Sequence, residues 1–277
     1  MAPVSSPLPM DRYAVIGNPI AHSRSPDIHA LFARETGESL AYERLLAPPG
    51  QFERVARGFF EGGGCGANVT LPFKVDAFRL AADHTSRAEL AGAVNWLAVK
   101  DGRITGDNTD GAGLVTDLTA NLGIALAGRR ILLLGAGGAA RGVVAPLLAE
   151  QPARLVIANR TKSRAAELAH RFASLGPVAG AGLDELPADF DVVVNATSSS
   201  THGQRLALPA GLLHAGVAAY DMAYGPAARA FLDEARAAGA RAEDGLGMLV
   251  EQAAESFRLW RGKRPRTAPV IAALRGA

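Results

Sequence analysis

The chain has 277 residues, of which 48% are hydrophobic and 20% are charged, and its formal net charge is +2. This composition suffices for buried cores and excludes an intrinsically disordered chain, and the length predicts one large domain or two ordinary ones. The basic residues form no block and no ladder with aromatic residues, so we expect no nucleic-acid partner.

The cysteine content and the N-terminus bear on location. Cys65 is the only cysteine, which excludes an intramolecular disulfide and favours a reducing, cytoplasmic setting. The N-terminal sequence MAPVSSPLPMD lacks the apolar core of a signal peptide, and no uncharged apolar run reaches ~18 residues. We expect no membrane association and, from the histidine spacing, no metal. The oligomeric state stays open, and a homodimer is compatible with the sequence.

Strand-like and helix-like segments alternate along most of the chain, which predicts an α/β fold. The first strand is predicted at residues 13–16, YAVI, and is followed by the loop GNPIAHSRSP. Ser25 is suited to cap a helix with Pro26 at its first position and Gly37 just past its end.

The next segments extend the alternation. AYERLL, QFERVARGFF and ANVT predict a strand, a helix and a third strand. Pro72 suits the first position of the following helix, which places Lys74 in the first helical turn. AGAVNWLAVKDGRITG is typical of two strands joined at Asp101 and Gly102, a favoured hairpin dipeptide.

A polar, turn-rich segment at residues 106–111, GDNTDG, interrupts this pattern and leads into the predicted helix AGLVTDLTANLG. Later buried strands are predicted at ILLL, LVIA, DVVVNAT and VAAYDMAY, and C-terminal helices at GLGMLVEQAAESFRLW and TAPVIAALR. Asp110 therefore lies at or near a helix start.

The sequence from Gly135 to Ala140, GAGGAA, fits the dinucleotide-binding pattern G-x-G-x-x-A between a strand and a helix. Gly135 permits the tight turn, Gly137 lets the backbone approach a pyrophosphate, and the small Ala140 allows close packing. The helix N-terminus then offers free N–H groups to phosphates. Thr197 and Ser198 follow the strand VVVNA, and ligands bind at such strand ends. The alternative is an ordinary Gly/Ala turn.

The strand LVIA ends about 20 residues further on, where an NAD site carries Asp or Glu for the ribose hydroxyl. This chain instead has Asn159, Arg160 and Thr161, followed by Lys162 and Arg164. A guanidinium can bind the 2′-phosphate with paired hydrogen bonds, so we predict NADP as the cofactor. The alternative is that both arginines only solvate a helix start.

Four polar residues form the candidate chemical site. Asn68 and Thr70 alternate along ANVT, so they point to one face and could bind a polyhydroxylated ligand. Lys74 is suited to proton exchange, and Asp110 is its plausible partner. Taken alone, an exposed lysine and a favourable charge at a helix start explain these two residues equally well.

Nine segments occur in order along nearly the whole chain: YAVIGNPIAHSRSP, GANVTLPFK, AGAVNWL, GDNTDG, GAGGAARG, NRT, NATSS, YDMAY and DGLGMLVEQA. Together they resemble the shikimate dehydrogenases of the bacterial biosynthetic type. The resemblance implies NADPH-dependent reduction of 3-dehydroshikimate to shikimate, on the route to chorismate and the aromatic amino acids.

The resemblance also implies residue roles, with Lys74 and Asp110 as the catalytic pair. The substrate contacts that it implies are Ser23, Ser25, Asn68, Thr70, Lys74, Asn95, Asp110, Tyr224 and Gln252. The cofactor contacts that it implies are Gly135, Ala136, Gly137, Gly138, Ala139, Asn159, Arg160, Thr161, Arg164, Thr197, Ser198, Met222, Gly245 and Met248. Taken singly, these residues also have structural explanations, such as an N-cap for Ser25 and core packing for Met248.

We therefore expect an α/β protein of two domains: an N-terminal substrate domain completed by C-terminal helices, and a Rossmann-like NADP-binding domain. The predicted bounds are residues 1–109 with 245–277, and residues 110–244. Trp96 stands where the family usually carries threonine, so it either reshapes the pocket edge or packs beneath it. The rival interpretations are an NAD-preferring quinate/shikimate dehydrogenase, a non-catalytic dinucleotide-binding sensor, and an amino-acid or methylene-tetrahydrofolate dehydrogenase.

Overall fold

The structure, a computed structural model, describes residues 10–197 and 206–276, which form two six-stranded sheets flanked by helices. The strands are β1 (Asp11–Gly17), β2 (Leu40–Leu46), β3 (Gly64–Val69), β4 (Asp83–His84), β5 (Trp96–Lys100), β6 (Arg103–Asp107), β7 (Arg130–Leu134), β8 (Arg154–Ala158), β9 (Val178–Ala181), β10 (Val192–Asn195), β11 (Ala218–Asp221) and β12 (Arg241–Asp244). The α-helices are α1 (Ser25–Thr36), α2 (Phe52–Glu61), α3 (Lys74–Leu80), α4 (Ser86–Ala91), α5 (Asp110–Thr116), α6 (Gly138–Ala149), α7 (Lys162–Phe172), α8 (Arg229–Ala237), α9 (Leu246–Arg261) and α10 (Ala268–Arg275).

The first sheet has the strand order β2-β1-β3-β5-β6-β4. Strands β1, β2 and β3 are mutually parallel, whereas β5 is antiparallel to both β3 and β6. The predicted hairpin between β5 and β6 is confirmed, because Asp101 and Gly102 both take positive φ angles of 51° and 74°. Strands β3 and β6 therefore run in the same direction and end at the same edge of the sheet.

The second sheet has the order β12-β11-β10-β7-β8-β9, and all its strands are parallel. This is the doubly wound order of dinucleotide-binding domains. Alternation along β7 places Ile131 and Leu133 in the core on one face, and Leu132 and Leu134 in the core on the other. A strand that is apolar on both faces is buried by helices on both sides, as the run ILLL predicts.

Two helix starts differ from the sequence-based expectation. Helix α1 begins at Ser25 itself, with Arg24 at the N-cap and no side-chain cap, so the prediction that Ser25 caps this helix is wrong. Helix α3 begins at Lys74 and not at Pro72, because the N–H of Phe73 bonds to the carbonyl of Thr70 and closes a separate turn first. Lys74 still lies in the first helical turn.

Helices α5 and α9 connect the two halves of the structure. A Cβ atom built at Gly113 would lie 2.7 Å from Cβ of Gln252, so only glycine allows α5 to approach α9 this closely. Met248 on α9 belongs to the core of the second sheet, whereas Val250 and Phe257 pack with α1. Helix α9 therefore contributes to both cores.

Among residues 10–197 and 206–276, no helix combines the length and apolar character that crossing a bilayer requires. In the same part of the chain, no cluster of three or more His, Cys, Asp or Glu side chains could hold a metal ion.

Candidate active site

A lysine and an aspartate meet at the edge of the first sheet where β3 and β6 end. Lys74 Nζ lies 2.5 Å from Asp110 Oδ2, and the two residues are only 9% and 4% exposed. Each is the first residue of its helix, α3 or α5. The sequence could not bring these residues together, and the structure makes them a buried amine–carboxylate pair.

Asn95 fixes the second oxygen of the aspartate. Its Nδ2 donates to Asp110 Oδ1 at 2.8 Å, and its Oδ1 accepts from the backbone N–H of Thr109 at 2.7 Å. The same Nδ2 lies 3.3 Å from Oε1 of Gln252 on α9. One carboxylate oxygen therefore faces the lysine, and the other is held by an amide that is itself oriented by the backbone.

Asn68 is held from three directions. Its Nδ2 donates to the carbonyl of Asn95 at 3.1 Å and to Ser256 Oγ at 2.9 Å, and its Oδ1 accepts from the Tyr42 hydroxyl at 2.7 Å. Both amide protons are therefore used within the protein, so Asn68 meets a ligand as an acceptor through Oδ1. Thr70 lies half-buried directly after β3.

The loop before α1 forms a further polar patch. Ser23 Oγ donates to Ser25 Oγ at 3.2 Å, and it accepts the backbone N–H of Ser25 at 3.3 Å. Tyr224, which follows β11 of the second sheet, packs against the cluster formed by α1 and α9. Burial raises the pKa of Tyr224, and a hydrogen bond from the backbone of Arg24 opposes that rise. Tyr224 thus reaches across to the Ser23–Ser25 loop.

The glycine turn between β7 and α6 lies beside the Lys74–Asp110 pair. Gly135 has a φ angle of +109°, and a Cβ there would lie 3.1 Å from the carbonyl oxygen of Ala196, so the turn requires glycine. A Cβ at Gly137 would meet nothing within 4 Å, and one at Gly138 would lie 3.3 Å from Cβ of Lys74. The start of α6 therefore lies in contact with the side chain of Lys74.

The start of α6 fits the pyrophosphate of a dinucleotide. Its N-cap, Gly137, provides no side-chain cap, and the first turn contains no acidic residue. The first N–H groups of the helix therefore keep their hydrogen-bonding capacity and their partial positive charge.

Comparison with known proteins identifies the family. A model of the shikimate dehydrogenase substrate binding domain matches residues 15–97, one of shikimate/quinate 5-dehydrogenase matches residues 117–205, and one of the shikimate 5′-dehydrogenase C-terminal domain matches residues 245–275. The chain is 56% identical to a shikimate dehydrogenase (NADP(+)) of Alkalilimnicola ehrlichii, over 96% of this chain and 98% of that protein. The chain belongs to the shikimate dehydrogenase family.

A second curated relative and a solved structure agree with this family. A shikimate dehydrogenase (NADP(+)) of Thioalkalivibrio sulfidiphilus is 58% identical, over 96% of this chain and 98% of that protein. The crystal structure of a shikimate 5-dehydrogenase from Thermus thermophilus in complex with NADP(H) and shikimate superposes with a TM-score of 0.82 at 35% identity, covering 96% of this chain and 99% of that chain. The two-domain architecture of the shikimate dehydrogenase family therefore applies to this chain.

The segment after β8 contains the basic residues that the sequence assigns to the cofactor's 2′-phosphate. Arg160, Thr161 and Arg164 are exposed, and Asn159 Nδ2 donates to the carbonyl of Thr161 at 3.0 Å. Lys162 forms an ion pair with Glu185 at 2.7 Å. Among the described residues, neither Arg160 nor Arg164 has an ion-pair partner, so both guanidinium groups are available to an anion.

The remaining candidate cofactor residues lie around the carboxyl ends of the second sheet. Thr197 lies beside Gly135, with its Cγ2 3.3 Å from a Cβ built there, whereas Ser198 lies outside the described residues. A Cβ at Gly245 would lie 2.4 Å from the carbonyl oxygen of Met222, which places these two backbones in contact. Met248 is 5% exposed and belongs to the core of this sheet.

Trp96, the residue that departs from the usual family sequence, is 8% exposed and stacks on Trp260 at 5.8 Å between ring centroids. Its indole nitrogen donates to the carbonyl of Ser256 at 3.2 Å. The sequence left open whether Trp96 reshapes the pocket edge or packs beneath it, and this packing matches the second alternative. Through its bond to Ser256, Trp96 supports the residue that holds Asn68.

Three residues near the site escaped the sequence analysis. Thr109 precedes Asp110 and bonds to Asn95, Ser256 bonds to Asn68, and Tyr42 bonds to Asn68 from the neighbouring strand. Ser256 lies four residues after Gln252, one helical turn along the same face of α9, and this spacing was the signal that could have found it.

Proposed function

We propose that this chain catalyses the reversible NADP-dependent reduction of 3-dehydroshikimate to shikimate, in the biosynthesis of chorismate and the aromatic amino acids. The observation that carries the proposal is the buried pair of Lys74 and Asp110 beside the glycine turn. Carbonyl reduction requires a proton donor next to a bound dinucleotide, and the start of α6 lies against Lys74. The names of the relatives at 56% and 58% identity support the choice of substrate.

When bound, NADPH supplies the hydride. The protein stabilises the negative charge that develops on the ketone oxygen. The Lys74 ammonium has three N–H donors, and among the described residues it bonds only to Asp110, so two donors remain for that oxygen. Lys74 stabilises the developing alkoxide and donates a proton to it. Asp110, with one oxygen held by Asn95, keeps the ammonium oriented.

Further residues bind the substrate in this proposal. The hydroxyls of Ser23, Ser25 and Tyr224 bind the carboxylate. Asn68 accepts a hydrogen bond from a ring hydroxyl through Oδ1, because both of its amide protons are used by the protein. The polar residues that complete this wall are Thr70, Asn95 and Gln252.

The cofactor residues divide by the part of NADP that they bind. The pyrophosphate would be held by Gly135, Ala136, Gly137, Gly138 and Ala139. The adenosine phosphate would be held by Asn159, Arg160, Thr161 and Arg164. The ribose and nicotinamide would be contacted by Thr197, Ser198, Met222, Gly245 and Met248, of which Ser198 lies outside the described residues.

Two rival functions are separated by one assay. The chain is incubated with shikimate or quinate and with NADP or NAD, and reduced cofactor is followed by its near-ultraviolet absorbance. We expect the highest kcat/KM for shikimate with NADP. A preference for quinate or NAD would indicate a quinate/shikimate dehydrogenase, and binding of NADP without turnover of either acid would indicate a sensor.

The domain bounds, location and assembly belong to the same proposal. We assign residues 1–109 and 245–277 to the substrate domain and residues 110–244 to the Rossmann-like domain, and limited proteolysis tests these bounds. We also propose a cytoplasmic location, which fractionation tests, and a homodimer, which light scattering coupled to size-exclusion chromatography tests.

A further inference from the structure

We propose that Arg44 is a positioning residue for the substrate carboxylate: it holds the Ser23–Ser25 turn and supplies the positive charge that serine hydroxyls lack. The inference rests on the proposed function, since it concerns the carboxylate of the same substrate. It assigns the anion recognition of the site to an arginine on β2, outside the motifs that identify the family.

The strand β2 directs Arg44 toward the site. Side chains alternate along a strand, so Tyr42 and Arg44 point to the same face. The Tyr42 hydroxyl donates to Asn68 Oδ1 at 2.7 Å, so this face of β2 is directed at the site. Because β2 is the edge strand of the first sheet, Arg44 can project past Tyr42 toward the loop before α1.

Arg44 clamps that loop with two hydrogen bonds. Its Nε and Nη2 donate to the carbonyl oxygen of Ser23 at 2.9 and 2.6 Å. The hydroxyl of the same serine donates to Ser25 Oγ at 3.2 Å. The guanidinium therefore fixes the backbone that carries both hydroxyls, and a planar fork does this better than a single ammonium group.

The charges around the two serines leave a positive excess. Arg24 Nε lies 3.3 Å from Asp27 Oδ2, and Arg44 Nη2 lies 4.0 Å from the same oxygen. Two guanidinium groups thus share one carboxylate. Both arginines act to lower the pKa of Tyr224 against the effect of its burial, so their field reaches the phenol. A substrate carboxylate there would gain the charge-assisted attraction that neutral hydroxyls cannot provide.

The test replaces Arg44 and measures KM and kcat separately. We expect Arg44→Met to raise KM for shikimate about three- to tenfold, as for a partly exposed charge contact, with kcat and KM for NADP within about twofold of the parent. Arg44→Lys retains the charge and should recover more than half of the lost affinity. Arg12→Met is the matched control, because Arg12 is an exposed arginine that bonds to Glu43 of β2 and to the carbonyl of Gly62.

An uncharged substrate separates the two effects of Arg44, its charge and its hold on the Ser23–Ser25 turn. With the methyl ester of shikimate, the effect of Arg44→Met on kcat/KM should be no more than about half of the effect on shikimate, since the charge attraction is absent while the loss of the hydrogen bonds to Ser23 remains. An equal penalty on acid and ester, an unchanged KM for shikimate, or an equal effect of Arg12→Met would each overturn the inference. If the parent itself fails to oxidise shikimate with NADP, the proposed function fails instead.

Discussion

Lys74 Nζ lies 2.5 Å from Oδ2 of Asp110, although 36 residues separate them along the chain. The first sheet explains this proximity: β3 and β6 are both antiparallel to β5, so they point in the same direction and end at one edge. Each of the two residues starts the helix that follows its strand. The pairing is therefore a consequence of strand order, which places two helix starts side by side.

The first prediction concerns Lys74. Lys74→Ala should lower kcat by about two to four orders of magnitude, because it removes the proton donor, and it should change KM less. Steady-state kinetics with shikimate and NADP measure both constants. Lys100→Ala is the control, since Lys100 is exposed at the end of β5. A Lys74→Ala variant that retains more than half of the parental kcat would refute the role.

The second prediction concerns Asp110. Asp110→Asn keeps the side-chain shape but removes the charge that holds the Lys74 ammonium, so kcat should fall about a hundredfold or more. NADP binding should be retained, because the glycine turn is unchanged, and fluorescence titration of the variant measures it. Asp76→Asn, which alters an exposed ion pair on α3, serves as control. Equal kcat values for Asp110→Asn and the parent would show that orientation by the carboxylate is not required.

The sequence predicted the second sheet more completely than the site. The apolar run before Gly135 and the glycine pattern are local features, and local features determine a strand, a turn and a helix. The hydrogen bonding of the Asn68 amide depends on Ser256, which lies 188 residues away, so no local pattern could show that the amide protons are used. The same holds for the start of α3, where a turn at Phe73 displaced the helix from Pro72.

The third prediction concerns cofactor choice. Arg160→Ser combined with Arg164→Ser should lower kcat/KM for NADP about ten- to hundredfold and leave kcat/KM for NAD within about twofold, because only NADP carries the 2′-phosphate. Lys162→Met is a matched control, since Lys162 is already paired with Glu185. An equal loss with both cofactors would mean that these arginines do not recognise the phosphate.

The last prediction concerns acid stability and Glu255 on α9. Hydrogen bonds from Arg258, and then from Arg87, lower the pKa of Glu255 from 4.5 to about 2. A depressed pKa contributes stability above about pH 4.5, and that contribution, on the order of 3 kcal/mol, is lost as pH falls toward 2. Glu255→Gln should therefore lower the free energy of unfolding at pH 7 and flatten its decline below about pH 5, as urea denaturation at several pH values would measure. Glu53→Gln, at an exposed pair with Arg57, should change neither quantity. Parallel acid losses in the parent and Glu255→Gln would contradict the assignment of this pH dependence to Glu255.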